Sequence, residues 1–545
     1  MRRTLAYLLG LLALSSCIRN DLPYPVMVAE VTSMEVEGSL GVSISPEKRS
    51  ISIELPEAAE ISRVHVTKVE YRHDNTVSEP ELLAVHDLRS PQKFTLSTYQ
   101  DYEWTVSAVQ NIERYFTVRG QMGAAVIDEP NRRAVVTVSG NEDKTDIKVT
   151  SLKLGPAGIS MYSPSMEELH DFTDGAEVSV SFNGKTEKWY LYVEQTEISV
   201  EISSLDAWTR CAWISANGVE GQPCGFEYRL SGSSEWNAVP DVKISGGTFT
   251  VCLDGLEPET SYECRAFSGS DYTAEQEFTT EAEEQLPNAG FEAYSHAESS
   301  VYYSWFDPSA MSPYLQSKWW DSGNVGSTTV GSAYCIAIPD TENRMEGSTS
   351  ASLVSRNVVI KFAAGNTFSG EFAGLVGTQG GLVNFGRPWT LRPRAIRLWA
   401  RYDCGLIDVV DSYPSDRPVK VGDPDMCSMM VALGDWDYRK FGGTPQCPVQ
   451  VNTTDKSTFL DPSSTSVIAY GSFTSDKSST WWEEYPEFIQ NSRDGWVELE
   501  IPLDYRTTDR RPTHIIVSFA SSALGDYFTG SSQSRMWIDD IRLVY

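Results

Sequence analysis

The segment MWIDDIRLVY, residues 536–545, decides how the last part of this chain is interpreted. Apart from Asp539, Asp540 and Arg542 the segment consists of apolar and aromatic residues, and such a run is typical of a β-strand. Neighbouring side chains on a strand point to opposite faces, so Asp539 and Asp540 are not expected to act together on one substrate atom. The segment therefore predicts the closing strand of a β-sheet domain and argues against a catalytic acid pair.

An alternation of apolar and polar residues, the period-two pattern of a half-buried β-strand, recurs along most of the chain. RSISIEL (residues 49–55) and RAVVTV (residues 133–138) follow it, and turn-rich segments separate such runs. Helical periodicity is nearly absent. A chain of 545 residues is also too long for one hydrophobic core. We therefore predict an all-β protein that is made of several domains.

An internal repeat covers the first part of the chain. VEGSLG returns as VRGQMG, VHDL as LHDF and EWTVSAVQ as KWYLYVEQ, at a spacing of about 82 to 85 residues. This length and the short alternating runs predict two tandem immunoglobulin-like β-sandwiches, residues 36–117 and 118–199. Because a catalytic histidine is rarely needed twice, we expect the equivalent His86 and His170 to be structural.

Residues 200–280 predict a third sandwich. The segment LEPETSYECRAFS resembles a fibronectin type III domain before its sixth strand, and this resemblance implies that Tyr262 bonds to nearby backbone. Cys211 and Cys264 are candidates for a disulfide across this sandwich, since export would permit one. An acidic linker, residues 281–287, precedes the last domain.

The first 17 residues, MRRTLAYLLGLLALSSC, predict a targeting segment with a basic start and a short apolar run. Their ending resembles the lipobox of bacterial lipoproteins, which implies lipidation of Cys17 and a tether over residues 18–35. We expect an outer-membrane lipoprotein at the cell surface, held to the membrane by lipid alone. The formal net charge of −31 argues against nucleic acid as a partner.

The last domain begins with LPNAGFE and ends with MWIDDIRLVY. This pairing resembles jelly-roll carbohydrate-binding modules, in which a glutamate of the first strand and an aspartate of the last often hold a structural calcium. The resemblance implies calcium ligands at Glu292 and at Asp539 or Asp540. Calcium prefers such hard oxygen ligands, and it would join the first strand to the last.

Several further motifs occur in register between these two ends. KWWDSGN, KFAAGNTFSGEF, NFGRPWTLRPRAI and SSALGDYFTG resemble those of the putative carbohydrate metabolism domain (PCMD) family, found in surface lipoproteins of gut Bacteroidota. The resemblance covers essentially residues 288–545. It implies a large jelly-roll β-sandwich with a role in carbohydrate acquisition or metabolism, alongside other surface glycan-utilisation proteins.

These motifs supply the residue types that a sugar site needs, namely flat aromatic rings for stacking and fixed polar partners. Only one of Trp319 and Trp320 can face a ligand, because neighbours on a strand point in opposite directions. The candidate carbohydrate-binding residues are Trp319, Trp320, Asp321, Asn324, Arg387, Trp389 and Arg392.

The sequence leaves three functions open. The leading hypothesis is a lipid-anchored, non-catalytic glycan-binding protein. The second is a glycoside hydrolase or lyase, which would need paired carboxylates, with Asp321 and Asp526 as candidates. The third is a structural adhesin or pilus-associated protein. A pocket with two facing carboxylates would favour the enzyme, whereas a flat aromatic platform would favour binding.

Overall fold

The computed structural model describes residues 28–296, 302–310, 318–359, 361–377, 379–414 and 417–545. The predicted targeting segment and Cys17 lie outside these residues, as does the first part of the tether. The described chain divides into two compact units. The first contains the residues up to 199 and two short loop segments, 218–222 and 245–248, and the second contains the rest of the chain.

The first unit contains two β-sandwiches, each with its own buried core. The strands of the first are β1 (Val31–Val36), β2 (Gly41–Ser45), β3 (Ser50–Leu55), β4 (Val64–Tyr71), β5 (Val77–Glu79), β6 (Val85–His86), β7 (Gln92–Ser97) and β8 (Asp101–Gln110). Those of the second are β9 (Tyr115–Val118), β10 (Gln121–Asp128), β11 (Arg133–Ser139), β12 (Val149–Lys153), β13 (Met161–Ser163), β14 (Ala176–Phe182) and β15 (Lys185–Thr196).

The larger sheets of these two sandwiches have the same strand order. The first runs β2-β3-β8-β7-β5 and the second runs β10-β11-β15-β14-β13, and in each the second and third strands pair in parallel. His86 is buried and its Nε2 lies 2.8 Å from the Leu82 carbonyl oxygen, whereas His170 is exposed and lies 3.0 Å from the Glu168 carbonyl oxygen. Each histidine thus contacts a nearby backbone carbonyl, as expected for a structural role. The immunoglobulin-like assignment and its boundaries stay predictions.

The second unit begins with a third sandwich. Its strands are β16 (Val200–Ala207), β17 (Cys211–Gly218), β18 (Cys224–Leu230), β19 (Asn237–Ala238), β20 (Lys243–Ser245), β21 (Thr248–Asp254), β22 (Ser261–Ser268), β23 (Asp271–Tyr272) and β24 (Gln276–Thr279). The Glu257 backbone N–H donates to the Tyr262 hydroxyl at 3.0 Å, as the sequence predicts. The Cys211–Cys264 disulfide is not formed, because Cys264 lies in the core while Cys211 lies on the outer face of its sheet, with Trp213.

The C-terminal domain follows within the same unit. Its strands are β25 (Ser295–His296), β26 (Tyr303–Ser304), β27 (Trp320–Asp321), β28 (Ala337–Asp340), β29 (Ser350–Val354), β30 (Arg356–Asn357), β31 (Phe362–Ala363), β32 (Asn366–Val376), β33 (Gly380–Phe385), β34 (Arg387–Pro388), β35 (Ala395–Asp403), β36 (Cys427–Gly434), β37 (Val449–Asn452), β38 (Val467–Ser475), β39 (Ile489–Arg493), β40 (Trp496–Pro502), β41 (Asp504–Tyr505), β42 (His514–Ala520) and β43 (Arg535–Val544). Two four-residue helices, α1 (Asn324–Ser327) and α2 (Tyr438–Phe441), lie in its loops.

Two large antiparallel sheets build this domain. One has nine strands, with the order β37-β33-β32-β42-β36-β38-β41 and with β27 and β34 joined to β32 and β42. The other has six, in the order β28-β29-β43-β35-β40-β39. Inward side chains of both sheets share one core, which includes Val517 and Phe519 from β42 and Ile538 from β43. The all-β prediction is confirmed. Among the described residues, every helix is too short to traverse a bilayer.

Candidate ligand-binding cavity

The tryptophans that the sequence predicts as sugar platforms lie in or against the core. Trp320 has no exposed surface, and its Nε1 donates to the Pro287 carbonyl at 2.9 Å. Trp389 is 7% exposed. Trp319 is half-buried and packs edge-to-face on Trp389, with ring centroids 6.2 Å apart. None of the three rings forms an open platform for a saccharide.

Asp321 and Asn324 are structural anchors. The buried Asp321 carboxylate pairs with Lys318 Nζ at 2.7 Å and accepts from the Phe372 backbone N–H at 2.8 Å. Asn324 is 1% exposed, and its side-chain amide donates to the Ala337 carbonyl and accepts from the Ala337 N–H, at 2.7 and 2.9 Å. Both side chains hold the segment around α1 in place and face no solvent.

The two arginines of the predicted site are also buried. Arg387 Nη1 lies 3.2 Å from Glu371 Oε1, and its Nη2 donates to the Gly370 carbonyl. Arg392 has a fully buried side chain that pairs with Asp206 and with Glu281 of the third sandwich. The Arg392 guanidinium is out of reach of a saccharide, and only 9% of the Arg387 side chain is exposed. The structure thus corrects the predicted binding role of these residues, because their polar atoms are used inside the protein.

A cavity of about 440 Å³ lies instead on the outer face of the nine-stranded sheet. Phe368 on β32 and Ser518 on β42 belong to its floor, and their neighbours Thr367 and Phe519 point the other way, into the domain. Segments before and after the strands form its walls, and their described lining residues fall within 323–329, 358–359, 361–364, 375–377, 379–381 and 522–528. Three of these walls overlap the motifs KWWDSGN, KFAAGNTFSGEF and SSALGDYFTG.

Five phenylalanines dominate the lining: Phe362, Phe368, Phe372, Phe385 and Phe528. Phe362 and Phe368 are each 3% exposed, so they form a buried floor, and Phe368 packs on Phe385 with ring centroids 5.0 Å apart. Leu375 is half exposed and lies at the rim. The sequence reasoning did not single out these rings, although KFAAGNTFSGEF and SSALGDYFTG contain four of them.

Most polar side chains of the lining already have partners within the protein. They are Ser327 (Asn324 carbonyl), Thr329 (Gly326 carbonyl), Lys361 (Asp411 carboxylate), Asn366 (Gly323 N–H), Thr453 (Gly381 N–H) and Ser522 (Asp425 carboxylate). Two further groups, the Ser518 hydroxyl and the Asp526 carboxylate, have no described hydrogen-bond partner. These two are therefore the side chains best able to bond to a ligand.

Asp526 lies on the short 3₁₀ turn Gly525–Tyr527 and is exposed to solvent at the rim of the cavity. Desolvation by the surrounding protein raises the pKa of its carboxyl group. The buried Asp425 supports the turn: it accepts hydrogen bonds from Ser522 Oγ at 2.5 Å and from Ser534 Oγ at 2.8 Å. The turn that carries the rim carboxylate is thus held in place by buried hydrogen bonds.

Asp321 and Asp526, the candidate acids of the enzyme hypothesis, do not form a facing pair. Asp526 lines the cavity, whereas Asp321 is buried behind its wall with its oxygens already bonded. Among the described lining residues, Asp526 is the single carboxylate. Hydrolysis of a glycosidic bond usually needs two carboxyl groups that flank the bond. The described lining of the cavity supplies one carboxyl group.

Two of the three predicted calcium ligands meet at one loop. Asp539 Oδ2 accepts from the backbone N–H groups of Met345 and Glu346 at 2.7 and 3.0 Å, and Glu292 accepts from that of Ser348 at 2.9 Å. Asp540 turns away and pairs with Arg542. The described residues contain no cluster of three acidic, histidine or cysteine side chains around one point. A calcium here would need backbone carbonyls or water as further ligands.

Comparison with known proteins identifies the domain that carries the cavity. Residues 290–544 match the family described as "putative carbohydrate metabolism domain". The C-terminal domain is a PCMD domain. The match spans the nine-stranded sheet, the cavity and the closing strand of the PCMD domain. No curated protein sequence shows significant similarity to the chain.

Solved structures similar to the chain include two described as putative glycoside hydrolases. The one from Bacteroides thetaiotaomicron is 14% identical, with 96% of this chain and 98% of that chain covered and a TM-score of 0.29. The one from Bacteroides vulgatus is 17% identical, with 47% and 96% covered and a TM-score of 0.31. A carbohydrate-binding module described as specific for non-crystalline cellulose, CBM28, is 12% identical, with 42% of this chain and 88% of that chain covered and a TM-score of 0.18.

Proposed function

We propose that the PCMD domain binds a saccharide in the cavity on the outer face of its nine-stranded sheet, without catalysis. The observation that carries this proposal is the rim carboxylate of Asp526, which has no described protein partner beside a cavity of ligand size. Phenylalanine rings supply apolar faces for contact with sugar carbons. The family to which the domain belongs supports a carbohydrate as the ligand.

The test is binding of the full chain to a broad glycan array, followed by calorimetry on any hit. Asp526→Asn should weaken binding about 10- to 100-fold, because a hydrogen bond to a charged acceptor contributes roughly 1.5–3 kcal/mol. Asp504→Asn is the matched control, since Asp504 is exposed on β41 and does not line the cavity. Absence of binding to any glycan, or equal affinity of both variants, would contradict the proposal.

The raised pKa of Asp526 favours a second candidate, a glycoside hydrolase or lyase in which this group donates a proton. Release of new reducing ends or unsaturated sugars from a bound glycan would support it, provided that Asp526→Asn abolishes the release. The absence of a second lining carboxylate among the described residues is why we place binding first.

We also propose that the chain is presented at the cell surface as an outer-membrane lipoprotein. Support comes from the first 17 residues, whose basic start, apolar run and terminal Cys17 together match a lipobox. Cys17→Ala should abolish labelling by a fatty-acid analogue and shift the protein from the membrane fraction to the soluble one. Unchanged membrane fractionation of that variant would contradict a lipid anchor.

A further inference from the structure

The floor of the cavity is poorly suited to a fully hydroxylated sugar ring. Phe362 and Phe368 are each 3% exposed, and Ile336 and Ala364 beside them are 1% and 6% exposed. A buried pyranose would bring several hydroxyl groups into contact with this surface. Each hydroxyl that loses water without gaining a partner weakens binding. Apolar ligand atoms, in contrast, are favoured there.

The polar side chains of the lining offset this mismatch only in part. Six of its side chains already bond within the protein, which leaves Ser518 and Asp526 as the side chains without a described partner. Asp526 is exposed at the rim, and as an ionised carboxylate it only accepts hydrogen bonds. The cavity therefore combines a mainly apolar interior, in which Ser518 supplies one hydroxyl, with a carboxylate acceptor at its entrance.

We propose that the cavity takes the apolar substituent of a modified saccharide, such as an acyl ester, a deoxy-sugar methyl group or an aryl group. The sugar ring then lies at the rim, where one of its hydroxyl groups donates to Asp526 and the others stay in water. This inference rests on the proposed function and specifies its ligand class. A volume of about 440 Å³ is ample for such a substituent.

The test compares three probes by calorimetry with the full chain: methyl β-glucoside, hexyl β-glucoside below its micelle concentration, and 1-hexanol. We expect hexyl β-glucoside to bind at least tenfold more tightly than either of the others. Equal affinity for the two glucosides, or no binding of hexyl β-glucoside, would overturn this inference and leave saccharide binding standing. If 1-hexanol binds as tightly as hexyl β-glucoside, the cavity is apolar but the proposed carbohydrate function fails.

A substitution that fills the cavity tests whether hexyl β-glucoside binds there. Ser518 and Ser472 both pair with Met430 across neighbouring strands, so they lie in one row on the same face of the sheet. Ser518 lines the cavity, whereas Ser472 is exposed outside it. Ser518→Phe should lower the affinity for hexyl β-glucoside at least tenfold, and Ser472→Phe should leave it unchanged. Equal effects of the two variants, at unchanged melting temperature, would place the binding elsewhere and overturn the inference.

Discussion

At the scale of single residues, a β-bulge interrupts the closing strand at its two adjacent aspartates. The register of β43 on β35 shifts between Asp539 and Arg542, and Asp540 has a φ of 46°. Met536 and Ile538 point into the core before the shift and Ile541 points there after it. Strict alternation, which the sequence suggests, is therefore interrupted at this pair. Asp539 becomes buried and Asp540 stays at the surface with Arg542.

Burial of Asp539 predicts a pH-dependent stability. Desolvation raises the pKa of its carboxyl group to about 6, although three backbone N–H groups oppose the shift. Between about pH 4 and pH 6 the folded state keeps a proton that the unfolded state has lost, so the free energy of unfolding falls as pH rises. The loss should total on the order of 2–3 kcal/mol.

Urea denaturation of the wild type and of Asp539→Asn across this range measures the effect. The variant cannot titrate, so its unfolding free energy should lack this fall between pH 4 and pH 6, whatever its absolute stability. Identical pH profiles for the two proteins would show that Asp539 is not the group responsible.

At the scale of elements, the sequence motifs mark the walls of the cavity more reliably than its contact residues. KWWDSGN contributes Gly323 to a wall, while Asp321 and Asn324 hold that wall in place. SSALGDYFTG forms the turn that carries Asp526. A segment can thus be necessary for a site although its most reactive side chains face inward.

The turn that carries Asp526 depends on a close approach. A Cβ atom on Gly525 would lie 2.5 Å from the Cβ of Ala364 in the opposite wall. Gly525→Ala should therefore displace the turn, cost about 1–3 kcal/mol of stability and weaken binding of the array-identified glycan. Thermal unfolding and calorimetry would measure both effects. Unchanged affinity would show that the position of this turn does not matter for binding.

The calcium hypothesis also belongs to this scale, because Glu292 and Asp539 bring the first segment and the last strand of the domain to one loop. Bound calcium would stabilise the folded state by mass action. Chelation should then lower the melting temperature by several degrees, and added calcium should restore it. Glu292→Gln should abolish the response. A wild-type melting temperature that does not change with chelator would contradict a structural calcium.

At the scale of the whole molecule, the second unit joins the third sandwich to the PCMD domain through a buried contact. Trp208 packs on Tyr505 with ring centroids 4.6 Å apart, and its Nε1 lies 3.2 Å from the Thr508 carbonyl oxygen. Arg392 lies beside this pair and bonds to Glu281 at 2.8 Å. The third sandwich is therefore packed against the PCMD domain.

Arg392→Ala should destabilise both sides of this contact. It removes the buried guanidinium that pairs with Asp206 and with Glu281, and Glu281 then keeps Arg511 Nη2, at 3.3 Å, as its charge partner. Removal of one member of a buried pair costs up to about 3–5 kcal/mol. Hydrogen exchange should increase in β16 and around β41 together. Arg394→Ala is the matched control, because Arg394 and Asp254 form an exposed pair at 3.1 Å. Such pairs contribute about 0–1 kcal/mol. Equal effects of the two variants would contradict the prediction.

The sequence by itself determined the all-β class and the position of the PCMD domain, and the motifs that it contains supply three of the cavity's walls. Alternation, turn residues and motif order are local properties, and they are encoded by neighbouring residues. The candidate binding residues were selected by residue type. Tryptophan and arginine side chains, however, pack inside proteins as readily as they bind saccharides. Trp320 and Arg392 show this directly, since both are fully buried.

Only the tertiary structure decided which polar atoms remained available for a ligand. Whether a side chain meets solvent or a buried partner depends on segments far apart in the chain, as when Arg392 meets Asp206 or Asp539 meets the N–H of Met345. The apolar floor and the rim carboxylate of Asp526 likewise arise from strands and loops that become neighbours on folding. The sequence determines which side chains the protein contains, and contacts between distant segments determine which of them a ligand can reach.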